Sequence, residues 1–423
     1  MKTKYLSVVI AANTLLVSAA VADDAVLEAP PVAEPAPALP SAPVSPSVPV
    51  PVSAAVPVSP SVPVPAPRAW PWPVALEFEF FSHGIEARGS GVRRSEFTVS
   101  RAELGAGIGL LRHTNAEVRI EAIRSASPLS GFGIDGDSLV LRVKRAHIHS
   151  ALSLGPVTLH GDAGLIADPW VNGLDESTAL RAITASASET YLFGAPGELG
   201  FTSAATIGPA RLLIAVGNGE GRNFGERNNG KNTTAVLDAT LAIGRLRDQP
   251  MQLWLAAMAR DGSLGPAAAR NHRFGGAATL TTAVGALGVE AVRGLGVAGR
   301  GDVTATTGAA WLQASIVPRL DIVGRFAQAR FALDNSDATG RAQSLMAALS
   351  TSFWSARINA SNVAGDRASA NCNARGLRAW LSVERRTATG IASSLAGTDA
   401  QTATIVMLTL SACASVPVAG GTL

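Results

Sequence analysis

Cysteine is nearly absent: Cys372 and Cys413 are the only two in 423 residues, and they form no CxxC. That excludes a disulfide framework and the thiolate quartets of zinc modules. Spacing leaves open whether the two pair or remain buried thiols. Aromatics are scarce at 5%, with tyrosine only at Tyr5 and Tyr191. Lysine occurs only at Lys2, Lys4, Lys144 and Lys231, so nearly every cation is arginine, as either a GC-rich genome or selection for phosphate-binding forks would produce. No basic run with interleaved aromatics is present, which argues against nucleic-acid binding. Beyond residue 22, no uninterrupted apolar run reaches the ~18 residues that a membrane helix needs. Yet 47% of the residues are hydrophobic and mean hydropathy is +0.24. The apolar content is spread through short segments broken by Gly, Ser, Thr, Asn and Arg. A lipid-facing β-strand has this texture, because only every second residue must be apolar.

The amino terminus reads as an export signal over residues 1–22. Lys2 and Lys4 supply the charged start, Leu6 to Val17 the apolar stretch, and Ala20-Val21-Ala22 an A-x-A cleavage site before Asp23. Residues 23–73 form a Pro-, Val-, Ala- and Ser-dominated linker in which Pro43 to Pro51 recurs as Pro57 to Pro65. Proline removes backbone donors and fixes φ, so this stretch is expected to be disordered, to sample polyproline II, and to stay out of any sheet. At ~3.1 Å per residue its Pro-rich part, Ala29 to Pro73, reaches on the order of 140 Å, enough to cross much of a periplasm. A passive spacer and a contact with the cell wall are the two roles it suits.

From residue 74 to 423 strand-length segments alternate with turn signals. In Val157 to Ala163, Thr158, His160 and Asp162 share one face, while Val157, Leu159 and Ala163 share the other. Leu377 to Arg386 splits in the same way, with Arg378, Trp380, Ser382, Glu384 and Arg386 on the polar face. The segments 235–243, 310–317 and 355–361 behave similarly, with Asp238, Gln313 and Arg357 among their polar residues. Period two places alternate residues on opposite faces of a sheet. Short connections at Gly155-Pro156, Gly208-Pro209, Gly285-Ala286 and Pro318-Arg319 alternate with long ones at 83–94, 125–136, 167–197, 218–232, 261–272 and 332–342. Short turns at one end and long loops at the other are how outer-membrane barrels are built. The expected fold is therefore all-β, a transmembrane antiparallel barrel. About seventeen strand-like segments can be marked, two of them within 344–363, but such barrels have an even number of strands, so sixteen are expected.

One stretch is more specific. Ala215-Val216-Gly217-Asn218-Gly219-Glu220-Gly221-Arg222-Asn223, followed by Asn228-Asn229-Gly230-Lys231-Asn232, resembles the phosphate-selective porin family, where an N-G-E-G loop precedes an Asn- and Lys-containing return strand. Leu139 to Ile166 is similar to that family's early hairpins. The resemblance implies a sixteen-stranded barrel, usually trimeric, that passes small solutes and often anions. Two departures accompany it: the chain ends Gly420-Gly421-Thr422-Leu423 instead of on an aromatic, and the aromatic girdles would be thin.

For a pore, the third long loop, 167–197, holds the constriction candidates Asp175, Glu176, Arg181 and Glu189, with Asp175 suited to cap a short helix and Glu176 to stand in its first turn. A plain surface loop fits the same letters. The pore-lining candidates are Arg119, Arg142, Lys144, Arg325, Arg357, Arg378 and Arg386. They lie within strands, where a charge facing lipid would cost ~2–4 kcal/mol near the midplane, so they are expected to face water. Glu117, Glu121, Asp162, Asp238 and Glu384 occupy similar faces and would cancel part of the field. A nonselective pore and a weakly anion-preferring one both fit.

No metal or other cofactor is expected. His147 and His149 share a face with His160 on the next strand, but no further ligand completes a zinc site. Gly294-x-Gly296-x-x-Gly299 matches a dinucleotide fingerprint in letters, yet Arg300-Gly301-Asp302-Val303-Thr304 beyond it is no amphipathic helix, so a glycine-rich loop is expected. Arg300-Gly301-Asp302 spells an adhesion tripeptide by chance. With neither an HExxH nor a Gly-x-Ser-x-Gly elbow, no catalytic residue is assigned. The expected partners are outer-membrane lipid and small hydrophilic solutes. A non-conducting structural or adhesive barrel is the first alternative and a lipid-acting barrel enzyme the second.

Overall fold

The computed structural model describes residues 74–423 except 90–91, 112, 125–138, 179, 181, 192, 194–196, 220, 222–228, 266–267, 298–299, 318, 335, 355–375, 391, 393–400 and 420–423. The expected signal, the Pro-rich linker, Arg181, Arg357 and the segment 355–361 lie outside the described residues, as does any pairing of Cys372.

Sixteen strands form a closed antiparallel barrel. Its first half comprises β1 (Val74–Gly89), β2 (Val92–Leu111), β3 (Thr114–Arg124), β4 (Leu139–Leu154), β5 (Val157–Ile166), β6 (Glu198–Ile207), β7 (Ala210–Gly217) and β8 (Asn232–Leu246). After β9 (Gln249–Asp261), a two-stranded ribbon of β10 (Ser263–Leu264) and β11 (Ala269–Arg270) interrupts the wall. The wall resumes with β12 (His272–Thr282), β13 (Gly285–Val297), β14 (Arg300–Val317), β15 (Leu320–Leu333), β16 (Thr339–Trp354), β17 (Gly376–Gly390) and β18 (Gln401–Ala419). β18 pairs with β1 from Val74↔Ala419 to Gly89↔Ala403, so the sheet has no edge. In lipid this is one of the two ways a backbone can satisfy all its polar groups.

Alternation sets the two faces. Along β15, Asp321, Val323, Arg325, Ala327, Ala329 and Phe331 are buried, while Ile322, Phe326 and Arg330 are exposed. The outward surface is apolar over most of its height, with Leu104, Leu141, Leu199, Leu237 and Leu345 all exposed. Its aromatic girdles are thin, as expected, and among the described residues they are built of phenylalanine. Phe97, Phe201 and Phe274 lie toward the loop end, and Phe78 and Phe353 toward the turn end. Trp170, Trp311, Trp380 and Tyr191 are instead buried inside.

Several boundaries differ from those read in the sequence. The segment 83–94 is not a long loop, because β1 runs to Gly89 and β2 starts at Val92. His83 faces inward, with its Nδ1 2.8 Å from Thr409 Oγ1 on β18. The ring of Phe97 covers Gly84, where a Cβ would come within 2.9 Å of it. Cross-strand partners thus overrule a polar, glycine-containing stretch. The turn expected at Gly285-Ala286 sits two residues earlier: the Thr282 hydroxyl accepts from Val284 N at 3.3 Å and donates to Gly285 O at 3.1 Å. The described part of 344–363 belongs to a single strand, β16. Gly294 and Gly296 close β13 and Arg300 opens β14, so the expected glycine-rich loop narrows to 298–299. The turn end is not uniformly short either, since 355–375 connects β16 to β17 there, while 90–91 and 298–299 are short connections at the loop end.

Candidate pore constriction

Loop 167–197, joining β5 to β6, folds into the barrel, and the sequence of its first turn begins the reason. Asp168-Pro169 is a helix start: the Asp168 carboxylate accepts from Trp170 N and Val171 N, both at 3.0 Å, and proline follows inside the cap. The helix α1 (Pro169–Ser177) therefore begins well before Asp175, and the capping role expected of Asp175 belongs to Asp168. Asp175 and Glu176 sit instead in the last turn, where the helix dipole disfavours them. Glu176 accepts from Asn172 Nδ2 at 2.5 Å, and Asp175 is buried.

The same Asp168 carboxylate forms a buried ion pair with Arg260 of β9, whose Nε donates to Thr234 Oγ1 at 2.8 Å. A second short helix, α2 (Ala187–Thr190), is held by Glu290 of β13. Its carboxylate accepts from Ala187 N at 2.5 Å and from Ser188 Oγ at 3.0 Å. Trp170 Nε1 also donates to Ser188 Oγ at 3.0 Å, joining the two helices. Arg325 donates to Ala185 O at 3.1 Å, Arg273 to Phe193 O at 3.2 Å, and Arg145 to Asn172 Oδ1 at 2.8 Å. Apolar packing reinforces these ties. Trp170, Leu174, Tyr191 and Phe193 join Val236, Met258 and Val292, while Leu180 and Ile183 join Trp311, Met346 and Trp380. Burial pushes the Tyr191 phenol up to about 12.

The loop is thus fastened to strands on both sides of the lumen. Of the residues expected at a constriction, Asp175, Glu176 and Glu189 are carried by this inward loop, with Glu189 half-buried in α2. The tethers Asp168, Arg145, Arg260, Arg273 and Glu290 were missed. Asp168-Pro169 was a readable signal, whereas the wall residues become partners only through sheet register.

The described pore-lining candidates all face inward, and neighbours neutralise most of them. Arg119 lies 2.5 Å from Glu77, 3.2 Å from Glu117 and 3.5 Å from Glu103. Lys144 pairs with Glu103, Arg142 with Glu121 at 2.6 Å, and Arg386 with Glu384 at 2.8 Å. Arg378 lies 3.5 Å from Asp321 and 5.5 Å from the centre of the Trp380 ring. Cross-strand pairing therefore cancels field much as the alternating acids suggested, with Asp238 also held by Arg211 at 2.5 Å. His149 Nδ1 lies 2.7 Å from Asp162, which also accepts from Thr202 at 2.5 Å. Among the described residues, no three His, Cys, Asp or Glu side chains are placed to hold a metal.

The 215–232 stretch joins two loops. Glu198 accepts from Gly219 N at 3.0 Å, and Asn271 Nδ2 donates to Asn232 Oδ1 at 3.2 Å. Asn232 lies so close over Gly262 that a side chain there would collide with it.

No protein-family model and no curated protein matches the sequence. Solved structures do. OmpT of Vibrio cholerae, expressed in the outer membrane, matches with a TM-score of 0.52 at 8% identity, over 82% of this chain and 99% of that one. The in-vitro folded trimer form of OmpT gives 0.50 at 9% identity, over 81% and 100%. At such identities the likeness concerns fold alone: the chain has the architecture of a porin-like outer-membrane β-barrel.

Proposed function

We propose that this chain is a bacterial outer-membrane channel for passive diffusion of small hydrophilic solutes. One observation carries the reading: a closed wall, apolar outside and lined inside with charged and hydroxyl side chains, holds a long loop within its lumen. Sixteen strands ~4.8 Å apart and tilted ~40° make a cylinder about 32 Å across between backbones. Wall side chains take ~5 Å from each side, and a helix with its side chains fills ~10 Å more. A path on the order of 10 Å remains, wide enough for hydrated ions and small metabolites. Asp175, Glu176, Arg181 and Glu189 are the proposed constriction residues, and Arg119, Arg142, Lys144, Arg325, Arg357, Arg378 and Arg386 the proposed lining.

The anion or phosphate preference implied by the porin resemblance rests on those arginines. Carboxylates stand beside most of the described ones, which favours a weak preference, seen as a small shift of reversal potential toward chloride. A homotrimer is supported by the trimer form in which OmpT was solved. Val74 and Ala419 pair at the turn end of the wall, which supports a periplasmic place for the Pro-rich segment, within reach of the cell wall.

A non-conducting barrel is the second reading, favoured by how fully Trp170, Leu174, Leu180 and Phe193 are buried. Planar-bilayer recording separates the two. The channel reading expects discrete steps that grow when residues 172–192 are deleted, with heat-modifiable gel mobility intact. Absence of steps from both proteins would establish the blocked barrel instead.

A further inference from the structure

The outward wall is not uniformly apolar. One hydrogen-bonded row crosses five strands at the loop end: Arg293 on β13, Thr306 on β14, Arg330 on β15, Arg341 on β16 and Thr389 on β17. All five side chains are exposed. Arg385 of β17, also exposed, lies four residues below Thr389, about 10 Å lower, opposite Leu345. These side chains point away from the lumen, since the residues beside them, Val292, Ala329, Phe331, Ala342 and Glu384, are buried inside.

Height decides what the row meets. Arg330 stands about ten residues up β15 from Leu320, which at ~3.4 Å per residue and ~40° tilt is about 26 Å. The lipid-facing band of such barrels is ~25 Å tall, so the row marks its upper rim, where an outward arginine is nearly free of insertion cost. Directly below lie Leu345, Phe326 and Leu312, all exposed. In the loop-end half of β4–β9 and β12, no arginine or lysine faces outward among the described residues. The inward cations there include Arg145, Arg260 and Arg273. Among the described residues, Arg88 of β1 also faces outward near the rim but pairs with Glu86, so the uncompensated basic row lies on one side.

No carboxylate among the described residues lies in ion-pair range of Arg293, Arg330, Arg341 or Arg385. Arg341 donates to Gln328 Oε1 at 3.1 Å, which orders it and leaves its charge uncompensated. A second copy of the chain would need acids to set against this row. The described outward or exposed carboxylates at the loop end, Glu86, Asp261, Asp302 and Asp334, already have partners in Arg88, His272, Arg300 and Arg270, which leaves the exposed Asp337 as a single acid against the row. The complement must therefore carry several negative charges at headgroup height and acyl chains beneath.

We infer that the β13–β17 rim is a docking surface for a phosphorylated, multiply acylated glycolipid of the outer leaflet, its phosphates held by Arg293, Arg330 and Arg341 and its chains lying on the apolar wall. Guanidinium forks match phosphate oxygens bidentately. The inference rests on the membrane placement proposed above and is independent of conductance.

The test uses the full chain in detergent micelles and native mass spectrometry, with bisphosphorylated hexa-acyl lipid A as probe. Its dephosphorylated form and inorganic phosphate serve as comparators. At about fivefold per arginine near an anionic surface, R293Q/R330Q/R341Q should weaken lipid A binding roughly a hundredfold. Removing the lipid's phosphates should do the same to the unmodified protein, while the arginine-to-lysine triple variant should retain most of the affinity. Equal binding by the glutamine variant or by the dephosphorylated lipid overturns the inference. Displacement of the lipid by millimolar inorganic phosphate, or loss of oligomers without change in lipid binding, overturns it as well. Heat-modifiable mobility and single-channel steps check that the variants fold. If the unmodified protein shows neither and does not enter vesicles, the membrane placement itself fails, an outcome distinct from a conducting barrel that ignores lipid A.

Discussion

Replacing Asp168 dissects how the lumen loop is held. Its carboxylate performs two tasks, capping α1 through Trp170 N and Val171 N and neutralising Arg260, which is almost wholly buried. Asp168→Asn keeps an oxygen for the cap and removes the charge. Breaking a buried pair from one side costs ~3–5 kcal/mol, largely because the remaining ion is stranded. Every ~1.4 kcal/mol is tenfold, so the ratio of docked to undocked loop should fall by a factor on the order of a hundred or more. Asp168→Ala should add the ~1 kcal/mol of a lost cap. Arg260→Met on top of Asp168→Asn removes the stranded cation and should restore much of the docking, because an apolar replacement of a buried pair is often neutral. The barrel's own hydrogen bonds are untouched, so gel mobility should not change. The assay is limited proteolysis of 178–186 together with single-channel recording. Asp168→Asn should cut faster and show larger, noisier steps than the parent, and the double variant should revert. If Asp168→Asn leaves both cleavage and conductance unchanged, the ion pair does not hold the loop.

Other perturbations address the wall and the lumen separately. Arg247 and Asp248, which join β8 to β9, have φ of 52° and 62°, a region costly for side chains other than glycine and asparagine. R247N/D248G should therefore raise stability by about 1–2 kcal/mol in reversible urea unfolding in lipid. Gly288 lies beneath the Trp311 indole, so Gly288→Ala should cost ~1–3 kcal/mol in the same experiment. Leu312→Arg, on the outward mid-wall, should cost ~2–4 kcal/mol, whereas arginine at the rim position Thr389 should cost ~0–1 kcal/mol. In protein lacking residues 1–22, tyrosinate absorbance reports Tyr191 alone and should rise only near pH 12. Burial favours the neutral phenol, so the stability it contributes is present below pH 10 and lost as pH climbs toward 12. A midpoint near 10 would mean that the loop is hydrated around Tyr191.

How much was legible in the sequence depends on how each feature is encoded. Period-two alternation is local, so β5 and β17 and their inward faces could be read directly, but insertion cost alone does not place every strand charge in the lumen, since Arg293, Arg330, Arg341 and Arg385 face outward. The even strand number came from closure, not from counting, and the described part of 344–363 accordingly lies in one strand, β16. Boundaries failed where a cross-strand neighbour decided them. Gly84 reads as a loop residue until Phe97 covers it, and Thr282 closes its turn ahead of the glycine that marked it. In the lumen, loop 167–197 stood out by length, but its tethers did not. Arg260 lies 92 residues from Asp168, and Glu290 lies 103 from Ala187, so only the register of the wall brings them together. The particular pairings were hidden for the same reason, since each arginine is visible alone while Glu77 beside Arg119 is a product of register.

The seam between β1 and β18 has a consequence for biogenesis. Every other neighbour in the wall arrives within one connection, but this junction joins segments more than three hundred residues apart, as His83 beside Thr409 illustrates. Until the final segment arrives, the growing sheet presents two raw margins that could recruit a stranger. Whatever delivers the chain to its bilayer must shield those margins until the last hairpin locks. Truncation within β18 should therefore abolish assembly outright, whereas trimming a distant loop tip would be tolerated. The wall itself has no preferred starting point, so once shut it would be equally sound if opened at another hairpin and sealed here.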